Sequence, residues 1–194
     1  ADAIHRGGAL AALQIHHGGR QCPSRHVGTP WSASAIPAER PNAETPRAMT
    51  IAEIDEVVES FGQAARRGLE AGFDAIEIHG ANTYLLQQFV SPHSNRRDDA
   101  YGQDRLRFSR EVVRSVRAQA GPAVVGYRLS PEEVETPGIR ISDTEALISM
   151  LIEEGVDFIH LSLRDAGMSS LVEDFDEPVL TRLSLLIAGR VPNM

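Results

Sequence analysis

The chain has 194 residues, of which 42% are hydrophobic and 24% charged, a composition typical of one globular domain. Its net charge of −8 disfavours nucleic acid and anionic membranes as partners, and no apolar run approaches the roughly 20 residues that a membrane span needs. The single cysteine, Cys22, excludes an internal disulfide framework and fits a reducing, cytoplasmic setting, while the absence of lysine excludes Schiff-base and P-loop lysine chemistry in these residues.

The first half of the chain predicts a strand, a helix and a second strand. The segment "GALAALQIHHGG" is typical of a strand that enters a glycine-rich loop. Apolar residues at helical spacing then predict a helix over residues 51–71, with Thr50 and Glu53 as a capping box and Gly72 as its end. The apolar segment "FDAIEIH" follows and predicts the next strand.

The second half repeats the same helix–strand unit. A helix over "DRLRFSREVVRSVRAQAG" leads into the strand "AVVGYRLS". A third helix, "SDTEALISMLIEEG", for which Ser142 and Glu145 predict a capping box, leads into "VDFIHLSL". A fourth helix, over residues 177–188 with Pro178 in its first turn, leads into the short apolar segment "RVP".

The repetition of these units predicts the fold class. Helices joined to strands by short turns imply a parallel sheet, either a closed (β/α)8 barrel or a doubly wound sheet. No GxGxxG motif follows a strand, which disfavours a dinucleotide-binding doubly wound sheet. We therefore predict an α/β fold of the (β/α)8 TIM-barrel type, as a single domain over residues 1–194. The long loops over residues 18–49 and 89–104 follow strands and belong at the carboxyl-terminal face, where barrel active sites lie.

Strand alternation directs polar side chains toward one centre. If Ile76 and Ile78 face the helices, Glu77 and His79 face the barrel interior. The same rule turns five further polar residues inward: Gln14, His16, Arg128, His160 and Ser162. A purely structural core would place aliphatic side chains at these positions, so the pattern predicts a polar interior site.

His79, Asn82 and Tyr84 follow one another at the end of the central strand. Their spacing is equally compatible with satisfied polar groups at a strand end. The functional interpretation makes His79 and Asn82 two hydrogen-bond donors to one carbonyl or anionic oxygen. Tyr84, whose ordinary pKa is about 10, would be the proton donor.

Arg128, Gln14 and the His16–His17 pair each have a structural and a functional interpretation. An inward arginine suits a site where negative charge develops, with Glu77 as a candidate partner for Arg128. Gln14 both donates and accepts, which suits an amide-like ring edge, or it is an interior amide satisfied by backbone. Alternation sends His16 and His17 to opposite faces, so at most one of them reaches the centre.

Three segments resemble the signature segments of the old yellow enzyme family of FMN-dependent ene-reductases and NADH:flavin oxidoreductases. They are "LQIHHGGRQ", "GFDAIEIHGANTYLLQQFVSPHSNRRDDAYG" and "VVGYRLSP". The resemblance implies a (β/α)8 barrel with FMN at its mouth, and it places this chain at about strands three to six and the start of strand seven. We therefore expect a longer protein, with the FMN phosphate site outside this chain. One departure is Thr83, which stands before Tyr84 where the family often has glycine.

The resemblance also implies a role for each site residue. Gln14 matches the glutamine at the FMN pyrimidine edge, and Arg128 the arginine beside flavin N1 and the C2 oxygen. His79 and Asn82 match the pair that binds the substrate carbonyl oxygen, and Tyr84 the tyrosine that protonates the neighbouring alkene carbon. The expected reaction is reduction of the C=C bond of a small enone or enal by hydride from flavin, with NADH or NADPH as reductant and no metal.

Two alternatives to an FMN enzyme remain at this stage. The first is a metal-dependent TIM-barrel hydrolase with a mixed nitrogen and oxygen ligand set: His16, Glu77, His79 and His160. The second is a truncated, non-catalytic half-barrel that pairs its open strand edges with another chain. The sequence leaves open whether the protein forms a homo-oligomer.

Overall fold

A computed structural model describes residues 1–163, 170 and 178–188. The strands in this part are β1 (Ala12–Ile15), β2 (Trp31–Ser32), β3 (Arg47–Ala48), β4 (Ala75–Gly80), β5 (Val124–Leu129) and β6 (Phe158–Leu161). The helices are α1 (Asp2–Arg6), α2 (Ser24–Val27), α3 (Ile51–Glu70), α4 (Leu85–Val90), α5 (Ala100–Gln103), α6 (Arg107–Ala120), α7 (Ile141–Glu153) and α8 (Val179–Ala188), and a 3-10 turn covers Gly19–Gln21. No helix within these ranges is long and apolar enough to cross a membrane.

The main sheet has the strand order β1-β4-β5-β6, and every pairing in it is parallel. The helices α3, α6 and α7 connect successive strands, which confirms the predicted series of βα units. Within the described residues β1 and β6 each pair on one side, so the sheet is an arc of a barrel. The strand predicted at "RVP", residues 190–192, lies outside the described residues.

The apolar core lies between the sheet and its helices. Ile76 and Ile78 of β4 are fully buried in one cluster with apolar residues of α3 and α6. The two helices approach closely at Gly62, where an added Cβ would lie 2.4 Å from Ser115 Oγ. Burying one isoleucine side chain stabilises the fold by about 1.5–3 kcal/mol, so this packing sets which face of β4 points inward.

The start of α3 confirms the predicted capping box. The Thr50 hydroxyl accepts the Glu53 N–H at 3.3 Å, and the Glu53 carboxylate accepts the Thr50 N–H at 2.8 Å. Arg47 also donates to the Glu53 carboxylate, and together these bonds lower the pKa of Glu53 to about 2. The carboxylate is therefore charged at the positive end of the helix dipole.

The capping box predicted at Ser142 is wrong. The helix α7 begins at Ile141, so its N-cap is Arg140, two residues before Ser142. The Asp143 carboxylate accepts the Arg140 N–H at 3.0 Å, so it satisfies the first exposed backbone donor. Ile141 is fully buried, and we attribute the earlier helix start to its packing, which places Ser142 inside the first turn.

The two predicted loops contain short regular elements that periodicity did not reveal. The strands β2 and β3 form a separate parallel pair, and α5 is a single turn. Arg97 holds both loops together, since its Nη1 donates to the carbonyls of Ala33 at 3.0 Å and Met49 at 2.7 Å. Its ion pair with Asp99 completes this connection.

Replacing Thr50 by Ala should lower the free energy of unfolding of the complete polypeptide by about 1 kcal/mol, because the substitution removes the hydroxyl of the capping box. Urea denaturation measures this loss. Thr45→Ala, at an exposed position outside any helix or strand, is the matched control. An equal effect of the two substitutions would contradict a specific role for the cap.

Candidate active site

The carboxyl ends of β1, β4, β5 and β6 meet at one edge of the sheet, and polar side chains line its inner face. The strand register places Gln14 beside Glu77 and His79 beside Arg128. It also places Arg128 beside His160. The inward orientation predicted by alternation is confirmed, because these side chains contact one another across four strands.

Glu77 joins two strands that lie on either side of it. Its carboxylate accepts a hydrogen bond from Gln14 Nε2, and its Oε1 lies 2.8 Å from His160 Nδ1. The predicted pairing of Glu77 with Arg128 is wrong, since the Arg128 Nη2 donates to Ser162 Oγ at 3.1 Å. The register explains this, because Arg128 lies two residues nearer the carboxyl end than Gly126, the partner of Glu77.

His79, Tyr84 and His16 form a cluster of rings at the carboxyl-terminal face. The ring centroids of His79 and Tyr84 are 5.1 Å apart, and those of His16 and Tyr84 are 5.3 Å apart. His17 points the other way and stacks on Trp31 at 6.3 Å. The prediction that only one of the two adjacent histidines reaches the centre is therefore confirmed.

His79 is held neutral at physiological pH. Its side chain is buried, and burial is the main cause that lowers its pKa to about 4. The positive charge of Arg128 and the His16 ring lower the pKa further, while Glu77 opposes them. A neutral imidazole has one N–H donor and one acceptor nitrogen, so His79 can offer a hydrogen bond without carrying charge.

Asn82 and Thr83 form a strained turn between β4 and α4. Both residues have left-handed backbone conformations, with φ of 56° and 58°, which cost most for a β-branched side chain such as threonine. The turn is held by α4, where Gln87 Oε1 accepts the Thr83 N–H at 2.8 Å and Gln88 Nε2 donates to the Thr83 carbonyl at 2.6 Å. The left-handed φ gives a physical reason for glycine at this position in the family that the sequence resembles.

Hydrogen bonds fix the orientation of the Asn82 amide. Ser162 Oγ donates to Asn82 Oδ1 at 2.9 Å, and Arg128 Nη2 donates to the same serine. Ser130 Oγ accepts the Asn82 backbone N–H at 3.0 Å. With its acceptor oxygen engaged, Asn82 presents its Nδ2 donor to the site.

Sequence reasoning missed the supporting residues of this site. It placed Ser162 inward but gave it no partner, and it gave no role to Ser130 or to the amides of Gln87 and Gln88. The signal for the two glutamines was present, because they interrupt an otherwise apolar helix in which every side chain is buried. Nothing local in the sequence identifies which residue a serine hydroxyl meets.

The ligand set proposed for a metal hydrolase does not assemble. Within the described residues no group of three or more histidine, cysteine, aspartate or glutamate side chains is arranged to hold a metal ion. His160 and Glu77 contact each other, and His79 and His16 meet as rings in an edge-on arrangement. The site is instead an assembly of oriented donors and acceptors.

An arc of parallel βα units with oriented polar groups at the carboxyl ends of its strands is typical of (β/α)8-barrel enzymes. Residues 1–180 match the family model described as the NADH:flavin oxidoreductase / NADH oxidase family. The chain belongs to this family. The cofactor of the family is FMN, and NADH or NADPH is the reductant.

The names of similar proteins agree with this family. The chain is 45% identical over 193 residues to the NADH:acrylate oxidoreductase of Vibrio harveyi, a match that covers 94% of this chain and 19% of that protein. It is 41% identical over 203 residues to the probable NADH-dependent flavin oxidoreductase YqiG of Bacillus subtilis, covering 99% of this chain and 54% of that protein. The chain thus spans between about a fifth and about half of the length of these relatives.

Solved structures confirm the partial TIM barrel. The old yellow enzyme homologue of Zymomonas mobilis superposes with a TM-score of 0.79 at 25% identity, over 98% of this chain and 63% of that one. Morphinone reductase superposes with a TM-score of 0.78 at 30% identity, over 98% of this chain and 55% of that one. The four parallel βα units are therefore part of a TIM barrel.

The interior of the arc fits an FMN ring system. In the described part of the chain, the buried Arg128 Nε and His79 Nδ1 have no hydrogen-bond partner. A buried guanidinium N–H without a partner is costly, and the carbonyl and imine groups of an isoalloxazine are acceptors that would satisfy it. Gln14 and Arg128 lie on the inner face of this arc, and they are the residues that would hold such a ring if it binds there.

The pKa of His79 should be about 4, and the histidine should therefore stay neutral down to pH 5. Since the unfolded chain protonates this ring near pH 6.5, its contribution to stability is complete above pH 6.5 and is lost as the pH falls toward 4. NMR titration of the ring measures the pKa, with the resonance assigned by its absence in His79→Gln. Arg128→Met should raise the pKa, and a midpoint near 6.5 in the unsubstituted protein would contradict the burial argument.

Proposed function

We propose that the protein is an FMN-dependent oxidoreductase that uses NADH or NADPH to reduce the C=C bond of α,β-unsaturated carbonyl compounds, small enones or enals. The observation that carries this proposal is the oriented amide of Asn82 at the end of the strand that holds neutral His79, with the Tyr84 ring 5.1 Å from that of His79. Bound FMN would supply the hydride. The residues of this chain would bind, polarise and protonate the substrate.

Asn82 and His79 would bind the substrate carbonyl oxygen. The Asn82 Oδ1 is engaged by Ser162, which leaves Nδ2 to donate to that oxygen. His79 would donate a hydrogen bond from a neutral ring. It would therefore stabilise the negative charge that develops on the carbonyl oxygen while keeping its own proton. Two donors that are already oriented stabilise such a developing charge, because they need no reorganisation during the reaction.

Tyr84 would donate a proton to the alkene carbon next to the carbonyl. The residue lies at the N-cap of α4, and the first residue of that helix, Leu85, donates its backbone N–H to the His17 carbonyl at 3.1 Å. This bond joins the start of α4 to the segment that follows β1, where the His16 ring lies 5.3 Å from the Tyr84 ring. A phenol hydroxyl in this position can serve as the proton donor.

Gln14 and Arg128 would hold the flavin ring. The partially buried Arg128 carries a permanent positive charge and a free Nε donor at the centre of the arc. A cation at this place stabilises the anionic charge that reduced flavin carries near N1. Gln14 lies on the neighbouring side, at the exposed face of β1, where it can read the amide-like edge of the ring.

The relatives do not by themselves define the substrate. One is named for acrylate and another, from Klebsiella pneumoniae, for fumarate, and the matched segment is 19% and 20% of their lengths. Those names describe much larger proteins. The enone class proposed for this protein therefore rests on the geometry of Asn82, His79 and Tyr84.

The complete polypeptide should purify with bound FMN and a visible absorption spectrum typical of oxidised flavin. Addition of NADH or NADPH without oxygen should bleach this absorbance, because the flavin is the first electron acceptor. A colourless complete polypeptide that does not take up added FMN would refute the proposal and favour a non-catalytic half-barrel.

Replacing Tyr84 by Phe should slow reduction of an enone by about a hundredfold or more, because it removes the proton donor. Reduction of the flavin by NADPH should change little, since that step needs no proton from this phenol. Stopped-flow absorbance separates the two half-reactions. Tyr101→Phe is the control, since the Tyr101 hydroxyl bonds Glu111 at 2.7 Å on the outer side of the sheet, and an equal loss in both half-reactions of Tyr84→Phe would remove Tyr84 from this role.

A further inference from the structure

Glu77 is an interior carboxylate whose two oxygens each have a partner. Its side chain is 13% exposed, its Oε1 lies 2.8 Å from His160 Nδ1, and its Oε2 accepts from Gln14 Nε2. An ionised carboxylate is only an acceptor, so both partners must donate to it. This requirement fixes a proton on His160 Nδ1 and turns the NH2 group of Gln14 toward Glu77.

The orientation of Gln14 matters because an amide has two chemically different ends. With its Nε2 held by Glu77, the side chain presents Oε1 as its free end. Without an acceptor at position 77, the amide could turn over and present N–H groups in place of the oxygen. Gln14 itself is exposed, and within the described residues its side chain hydrogen-bonds to Glu77 alone.

The contact between Glu77 and His160 spans the strand that lies between them. On β5 the residue in register with Glu77 is Gly126, and Phe158 follows on β6. A Cβ on Gly126 would lie 2.1 Å from a carbon of the Phe158 ring, so this position has no room for a side chain. The Phe158 ring therefore lies over Gly126, and the contact between Glu77 and His160 crosses β5 beside that ring, since His160 lies two residues nearer the carboxyl end of β6.

We propose that Glu77 is a positioning residue that holds the Gln14 amide with Oε1 toward the bound isoalloxazine, as the acceptor for the N–H group of its pyrimidine ring, while His160 supports Glu77 from the opposite side. The inference rests on the proposed FMN function. It adds a residue that does not touch the cofactor but decides which end of Gln14 does. The ring N–H of the flavin lies between two carbonyls, so only an acceptor can pair with it.

Glu77→Gln tests this role because it keeps the size of the side chain but replaces one acceptor oxygen by an NH2 donor. With the proton kept on His160 Nδ1, the new amide accepts from His160 with its oxygen, and its NH2 group then requires an acceptor on Gln14. The Gln14 amide should therefore turn over and place a donor against the flavin N–H. We expect FMN to bind about tenfold or more weakly, as judged by quenching of flavin fluorescence on titration of the apoprotein.

A spectroscopic measurement reports the hydrogen bond directly. In the unsubstituted holoprotein loaded with 15N-labelled FMN, the N3 proton should give a protected, downfield NMR signal, because it donates to Gln14 Oε1. In Glu77→Gln this signal should move upfield and exchange faster. A merely structural role for Glu77 would change the unfolding midpoint but would leave this signal in place.

Two further variants test whether Glu77 affects FMN binding through Gln14. In a Gln14→Met background, Glu77→Gln should change the FMN dissociation constant by less than about twofold, since the group through which it acts is gone. Glu59→Gln makes the same chemical change at an exposed site on α3 and should leave binding unchanged.

The outcomes separate this inference from the proposed function. An unsubstituted protein that binds no FMN refutes the proposed function. Normal FMN affinity and an unchanged N3 signal in Glu77→Gln overturn the role of Glu77 alone, as does an undiminished effect in the Gln14→Met background. If Glu77→Gln does not fold, the unsubstituted holoprotein still decides, because an N3 proton that exchanges freely with solvent overturns the proposal.

Discussion

The burial of Ile76 and Ile78 under α3 and α6 is the constraint on which the site depends. Both side chains are fully buried. Because side chains alternate along a strand, Glu77 and His79 must then point to the inner face of the sheet. A slip of one residue would bury a carboxylate among aliphatic side chains and expose two isoleucines. The parallel pairing of β4 with β1 and β5 then brings Gln14 and Arg128 beside it.

The interior amides of Asn82 and Gln14 share a second feature, since each has one end in a hydrogen bond to a neighbouring side chain. Ser162 takes the oxygen of Asn82, and Glu77 takes the nitrogen of Gln14. Asn82 is thereby left as a donor and Gln14 as an acceptor, as a carbonyl substrate and a flavin N–H would require. Arg128 links the two halves, since it donates to Ser162 and its positive charge adds to the burial that lowers the pKa of His79.

Much of this could be predicted from the sequence, because helical periodicity and strand alternation are local. The helix α3 with its Thr50 cap, the parallel βα units and the inward direction of Glu77 and His79 are confirmed. The cap at Ser142 was wrong because burial of Ile141 outweighed a local motif, and β2 and β3 were missed because two residues carry no period.

The sequence by itself determined the fold class, the family and the residues that line the interior, since these depend on patterns within single elements and on three long segments. Only the tertiary structure decided which interior side chains form hydrogen bonds with each other. Glu77 contacts His160 across β5 and does not pair with Arg128. Ser162 donates to Asn82, a residue 80 positions away in the chain. The reason is physical: a hydrogen bond depends on the distance and angle between two side chains, and strand register, which no local pattern encodes, sets both.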